Sequence, residues 1–206
     1  MFGELLPTRE SLITRLKDID DEESWREFFN IYWKFIYGVA RKAGLTEFEA
    51  QEVVQETVIY VARKMQGTKP GSKWDKTKGS FKGWLTRLTK WRITDQFRKR
   101  DGNLVVFIPP DPGDPDPFMG VPDAASVTPS DIDEEWESNL LDAAIQRVKD
   151  LIRPKQFQIF DLYVMKQWPI RQVAEKLGVN FGQVYLAKHR VTAALRKELK
   201  RLRDRY

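Results

Sequence analysis

Seven of the eleven prolines in this chain, Pro109, Pro110, Pro112, Pro115, Pro117, Pro122 and Pro129, fall between Asp101 and Ser130. Proline has no amide N–H and its ring clashes with the preceding turn, so no regular helix is expected through such a stretch. The segment therefore divides the chain. Residues 1–100 and 136–206 are expected to fold as two domains, with residues 101–135 an extended tether between them. The aspartates interspersed in DPGDPDP keep that tether solvated and away from other anions, whereas the glycine and ligand spacing of a calcium loop is absent.

Each flanking block is rich enough in apolar residues to build a core: 41% of the 206 residues are hydrophobic and seven are tryptophan. The chain has no cysteine and a single histidine, His189. Disulfides, thiolate metal sites and histidine-cluster chemistry are thereby excluded. No apolar run approaches the roughly 18 residues of a membrane span, and MFGELLPTRES lacks the basic-then-apolar order of a signal peptide, so a cytoplasmic protein without membrane insertion is expected.

The formal charge of +5 conceals strong segregation. Residues 1–62 carry 7 basic and 12 acidic side chains, 63–100 carry 13 and 2, 101–150 carry 2 and 12, and 151–206 carry 13 and 4. Two basic blocks separated by an acidic one suggest two separate contacts with a polyanion, since clustered Lys and Arg gain affinity by releasing counterions from phosphates.

The N-terminal block reads as helices. Trp25, Phe28, Phe29, Tyr32, Trp33, Ile36 and Tyr37 recur at three-and-four spacing behind the acidic run Asp20 to Glu23, which suits a helix start, and are expected to enter a core. A second helix opens on a Thr46/Glu49 capping box and places Ala50, Val53, Val54, Val58, Val61, Ala62 and Met65 inward. Glu49, Gln51, Glu52, Gln55 and Glu56 are read as its other face. A third helix begins at Ser80, with Phe81, Trp84, Leu85 and Leu88 inward, and ends in Arg98, Lys99 and Arg100. The intervening GTKPGSKWDKTKG holds four lysines and Trp74. It is one residue short of a P-loop and follows a helix instead of a strand. Its composition, next to Trp91, Arg92 and Arg98, is that of a single-strand site where aromatics stack on bases and cations follow the backbone. Trp84 is expected in the core, while Trp91 fits core and base contact equally.

The C-terminal block carries a helix-turn-helix pattern. Ile170, Val173, Ala174 and Leu177 mark the inner face of a short helix that Gly178 can end. Asn180 then stands as N-cap with Gln183 closing a capping box, and Val184, Ala187, Val191, Ala194 and Leu195 form the next apolar stripe. Gln183, Tyr185, Lys188, His189 and Arg190 are left outside, on the helix whose first turns would reach base edges in a major groove. A helical hairpin with a solvated basic face is the plainer alternative.

Taken together, EFEAQEVVQETV resembles the region-two helix of sigma factors, and GSFKGWLTRLTKWRITDQFRKR resembles its continuation into promoter melting. The C-terminal segment is similar to sigma region four. With neither a long N-terminal extension nor a region-three domain, the chain resembles the extracytoplasmic-function class of the sigma-70 family, over residues 22–100 and about 136–202. The resemblance implies an all-α protein of two helical domains that needs no cofactor and catalyses nothing itself. It implies core RNA polymerase and promoter DNA as partners, an anti-sigma factor as a further candidate partner, and a monomer when free. Glu49, Gln51, Glu52, Gln55 and Glu56 would dock on the polymerase clamp. Lys73, Trp74, Lys76, Lys78, Trp91, Arg92, Asp95 and Arg98 would engage the opened minus-ten element. Arg171, Asn180, Gln183, Tyr185, Lys188, His189 and Arg190 would serve the minus-thirty-five element, with Arg171 and Arg190 near phosphates. Trp91 stands where relatives often carry Asn, and Ala187 and Lys188 stand where many carry Arg and Leu, so base preference does not transfer. Two other readings stay open: a stand-alone helix-turn-helix regulator with an N-terminal sensor or dimerisation domain, and, more weakly, a nucleic-acid enzyme using Glu52 and Glu56 as metal ligands.

Overall fold

The computed structural model describes residues 12, 15, 16, 18, 20–66, 80–102 and 127–203, and among these the regular structure is all helical. Helices α1 (Glu22–Lys42), α2 (Glu47–Gln66), α3 (Phe81–Arg100) and α4 (Pro129–Leu151) are followed by α5 (Pro154–Phe160), which widens into a π-turn at Asp161–Met165. Helices α6 (Ile170–Leu177) and α7 (Phe181–Arg203) complete the order. The chain divides into two compact units between Asn139 and Leu140, a boundary that lies inside α4.

The first unit packs α1, α2 and α3 together. Its helix starts are capped as the sequence indicates: Asp21 accepts from the Ser24 amide at 3.0 Å, Ser80 accepts from Gly83 at 3.1 Å, and Thr46 and Glu49 exchange bonds in a closed capping box. Phe28, Tyr32, Phe35, Ile36 and Val39 of α1 meet Val53, Val61 and Met65 of α2 and Leu85, Leu88 and Ile93 of α3 in the buried core. Each large apolar side chain so buried contributes about 1.5–3 kcal/mol.

Two expectations change here. The aromatic run of α1 does not enter the core as a whole: Phe28 and Tyr32 are buried, but Phe29 is exposed and Trp33 and Tyr37 are half-buried. At 100° per residue, Phe29, Trp33 and Tyr37 form their own line beside the core line. The tether, in turn, ends earlier than residue 135. Helix α4 begins at Pro129, where proline is harmless because a first-turn amide has no intrahelical partner. Thr128 and Asp131 close a capping box around it, with the Thr128 amide donating to Asp131 at 2.8 Å and the Asp131 amide to Thr128 at 3.2 Å.

The first half of α4 belongs to the first unit. Trp136 packs edge-on against Phe35 at 5.0 Å and lies 6.1 Å from Tyr32, with Ile132 and Val127 also buried. Carboxylates of Asp131, Glu134 and Glu135 surround Lys42 at 3.5, 3.2 and 3.4 Å, and Asp133 meets Lys82 at 2.7 Å. The remainder of the proline-rich span, residues 103–126, lies outside the described residues, as does the lysine loop at 67–79.

In the second unit Ile159, Leu162, Val173, Val184 and Ala187 make the core, covered by Tyr163, Trp168, Ile170, Leu177 and Val179. Helix α6 stops at Gly178, whose φ of 59° is left-handed, and the Val179 amide returns to the Ala174 carbonyl at 3.0 Å. This closure sends the chain into α7 within three residues. The second half of α4 contributes Leu140, Ala144 and Val148 to the buried set, and Arg147 pairs with the buried Glu198 at 3.2 Å.

Candidate functional site

Helix α2 carries two different surfaces. Glu49, Glu52 and Glu56, spaced three and four apart, form one stripe, whereas Gln51 and Gln55 stand roughly 120° away around the helix. The five residues read as a single face are therefore split.

The stripe turns toward the basic end of α3. Arg100 grips Glu49 with two nitrogens, at 2.7–3.1 Å, while the Thr46 hydroxyl donates to the same carboxylate at 2.8 Å. The Arg100 hydrogen bonds lower the Glu49 pKa to about 2. Glu56 accepts from Lys99 at 2.8 Å and from Arg92 at 3.4 Å. Burial pushes the Arg92 pKa down, opposed by the charges of Glu56 and Asp95. Arg92 also faces the Tyr60 ring at 5.7 Å.

Asp95, expected at the minus-ten strand, is 2% exposed. It is an internal counter-ion, 3.8 Å from Arg92 and 3.7 Å from Arg98, and burial raises its pKa. Trp91 is half-buried with Arg98 5.9 Å above its ring, which leaves part of the indole and the exposed Arg98 on the surface of α3. Trp84 is likewise half-buried, against Phe81 at 5.5 Å. Lys73, Trp74, Lys76 and Lys78 lie outside the described residues.

On the other side of α2, Gln51 and Gln55 border a groove of about 660 Å³ between α1 and α2. Phe29, Trp33 and Tyr37 form one wall and Val54, Val58 and Ile59 the other. Phe29 and Trp33 stack with their planes 12° apart. The lining is mainly apolar, with the Gln51 and Gln55 amides and the Glu47 carboxylate at its edge. Sequence periodicity held the signal, in the offset between the Phe29 line and the Phe28 line, but reading the run as one face hid it.

In the second unit, Arg171, Asn180, Gln183, Tyr185, Lys188, His189 and Arg190 are all exposed; Arg171 lies on α6, Asn180 caps α7, and the others lie on its first ten residues. Asn180 accepts from the Gln183 amide at 2.8 Å, and Gln183 Oε1 accepts from the Asn180 amide at 2.9 Å. These two bonds hold the Gln183 side chain against the start of the helix. Tyr185 stands edge-on to Tyr163 at 6.1 Å, and Lys188 lies 5.6 Å over the same ring. Leu186 and Phe181, exposed beside them, were absent from the sequence-based set.

Among the described residues, no three His, Cys, Asp or Glu side chains group to hold a metal ion, which leaves Glu52 and Glu56 without a third ligand. No described helix is long and apolar enough to cross a membrane.

An all-helical unit whose second helix presents an amide-edged groove and whose third ends in a carboxylate-held cationic cluster matches a known domain: residues 28–102 fit the family model of Sigma-70 region 2. Over a longer span, the ECF RNA polymerase sigma factor SigE of Mycolicibacterium smegmatis is 26% identical across 193 residues, covering 94% of this chain and 68% of that protein. Residues 28–102 are thus a Sigma-70 region 2 domain, within a chain that is a distant homologue of that protein.

Proposed function

We propose that this chain binds core RNA polymerase and directs it to promoters, with three surfaces dividing the work. The groove edged by Gln51 and Gln55 receives the polymerase clamp, with Phe29, Trp33 and Tyr37 supplying the apolar area that the sequence reading had not included. The basic end of α3, with Trp91, Arg92 and Arg98, and the lysine loop bearing Lys73, Trp74, Lys76 and Lys78 engage the opened minus-ten strand. Asp95 and the Glu49 and Glu56 carboxylates orient those cations. The two-helix turn of α6 and α7 is the helix-turn-helix of a region-four domain and reads the upstream element. The free chain is taken as a monomer in the cytoplasm, and an anti-sigma factor as the partner class that would restrain it.

The observation that carries this reading is the exposed aromatic trough on the very helix pair that matches region 2. Purified chain mixed with core polymerase should co-elute one to one and support transcription from a promoter that core alone ignores. Failure to co-elute would exclude the proposal in favour of a stand-alone regulator, which would bind duplex DNA without polymerase.

A further inference from the structure

The buried side of α7 is set by Val184, Ala187, Val191 and Leu195. At 100° per residue, the line farthest from that side runs through Gly182, Leu186, His189 and Ala193. Leu186, not Gln183, therefore points most directly outward from the first turns, and it is 46% exposed. A single exposed leucine is unremarkable. Here, however, it follows Gly182 on the outermost line of the first turns, exposed Phe181 and Tyr185 share a different face of the same helix, and exposed Arg171, Lys188 and Arg190 stand on the same two helices. An outward apolar side chain among cations suits a polyanion that also offers apolar groups, and the major groove of DNA offers the C5-methyl of thymine.

Gln183 lies roughly 95° around the helix from that line, and its side-chain oxygen accepts from the Asn180 amide at 2.9 Å, so the amide is folded back on the helix start while the capping box is closed. Gly182, meanwhile, projects no side chain beside Leu186, so the backbone of the first turn can approach base edges closely.

We propose that Leu186 is a sequence-reading residue of this helix, making van der Waals contact with a thymine methyl in the major groove. The inference rests on the reading that this unit binds DNA and specifies what it prefers there.

The test uses the full chain assembled with core polymerase and duplexes recovered by selection from a pool randomised over the upstream element. Each thymine is then replaced singly by deoxyuridine, which deletes only the methyl. One such replacement should weaken binding by the parent about fourfold, the effect of one buried methyl group. Leu186→Ala should lose a comparable factor on the thymine duplex and become indifferent to the same replacement. Arg190→Ala should weaken all duplexes alike and keep the thymine preference. Indifference of the parent to every deoxyuridine, or an undiminished preference in Leu186→Ala, overturns the role of Leu186 while leaving DNA binding intact. If selection yields no upstream preference and Arg190→Ala binds as the parent does, the DNA reading of the unit falls and takes this inference with it. Circular dichroism on Leu186→Ala checks that the exposed substitution leaves the fold unchanged.

Discussion

Neighbouring residues of α2, Gln55 and Glu56, should give opposite phenotypes. Gln55 is exposed at the rim of the groove. Gln55→Arg should therefore alter stability by no more than about 0.5 kcal/mol, the ordinary range for a surface change. In the groove it places a solvated cation against Trp33, Val54 and Val58, and core polymerase affinity should fall roughly tenfold, about 1.4 kcal/mol. Glu56 instead accepts charge-assisted bonds from Lys99 at 2.8 Å and Arg92 at 3.4 Å, and the Arg92 side chain is only 13% exposed. Hydrogen bonds to charged groups contribute about 1.5–3 kcal/mol, and partial exposure of Glu56 and Lys99 reduces that range toward its lower end. Glu56→Gln should thus cost about 1–2 kcal/mol, and Glu56→Arg more, because it sets a further cation beside Arg92 and Lys99. For a unit of this size, thermal midpoints should drop by roughly 4–10 °C. Circular dichroism melts together with polymerase binding isotherms separate the two phenotypes. Equal destabilisation by Gln55→Arg and Glu56→Gln, or full stability of Glu56→Arg, would show that the division of α2 into two surfaces is wrong.

Acid should weaken the Glu49–Arg100 pair in a definite window. The Glu49 pKa is lowered to about 2, so its stabilisation is complete above the unfolded value near 4.5 and is lost as pH falls toward 2. Because Arg100 is partly exposed the pair contributes only about 1 kcal/mol, and denaturant titrations of parent and Glu49→Gln should converge by that amount between pH 5 and pH 2. Trp136→Ala should cost about 3–5 kcal/mol in urea unfolding, since the ring is 2% exposed against Tyr32 and Phe35. In the second unit, Asn180→Ala should lower stability by about 1 kcal/mol through loss of the helix cap. Gly178→Ala should also destabilise, by about 1 kcal/mol, because its φ of 59° is strained for any residue with a Cβ. Melting curves of the two variants read both effects.

What was legible in the sequence was whatever one helix decides by itself. The Thr46/Glu49 and Asn180/Gln183 boxes, the stop at Gly178 and the inward stripe of α7 each follow from local rules and recur in the structure. Pro129 was misassigned for a related reason: counted with six other prolines it reads as a breaker, yet after Thr128 and before Asp131 it is an ordinary first-turn residue. Asp95 and Glu56 were not legible at all. On their own helices they are polar residues among others, and only the packing of α2 on α3 makes one a buried counter-ion and the other a clamp on Arg92.

That packing also bears on how the proposed functions share one small unit. The carboxylate stripe of α2 holds Arg92, Lys99 and Arg100 at fixed positions before any ligand arrives, at the cost of neutralising part of their charge. A phosphate must therefore compete with carboxylates already in place, so cations on α3 add less affinity for DNA than their number suggests and more orientation. The groove on the opposite flank of α2 involves none of these charges. A partner seated there leaves the cationic cluster intact, which permits polymerase docking and strand engagement on the same helix pair without either surface displacing the other.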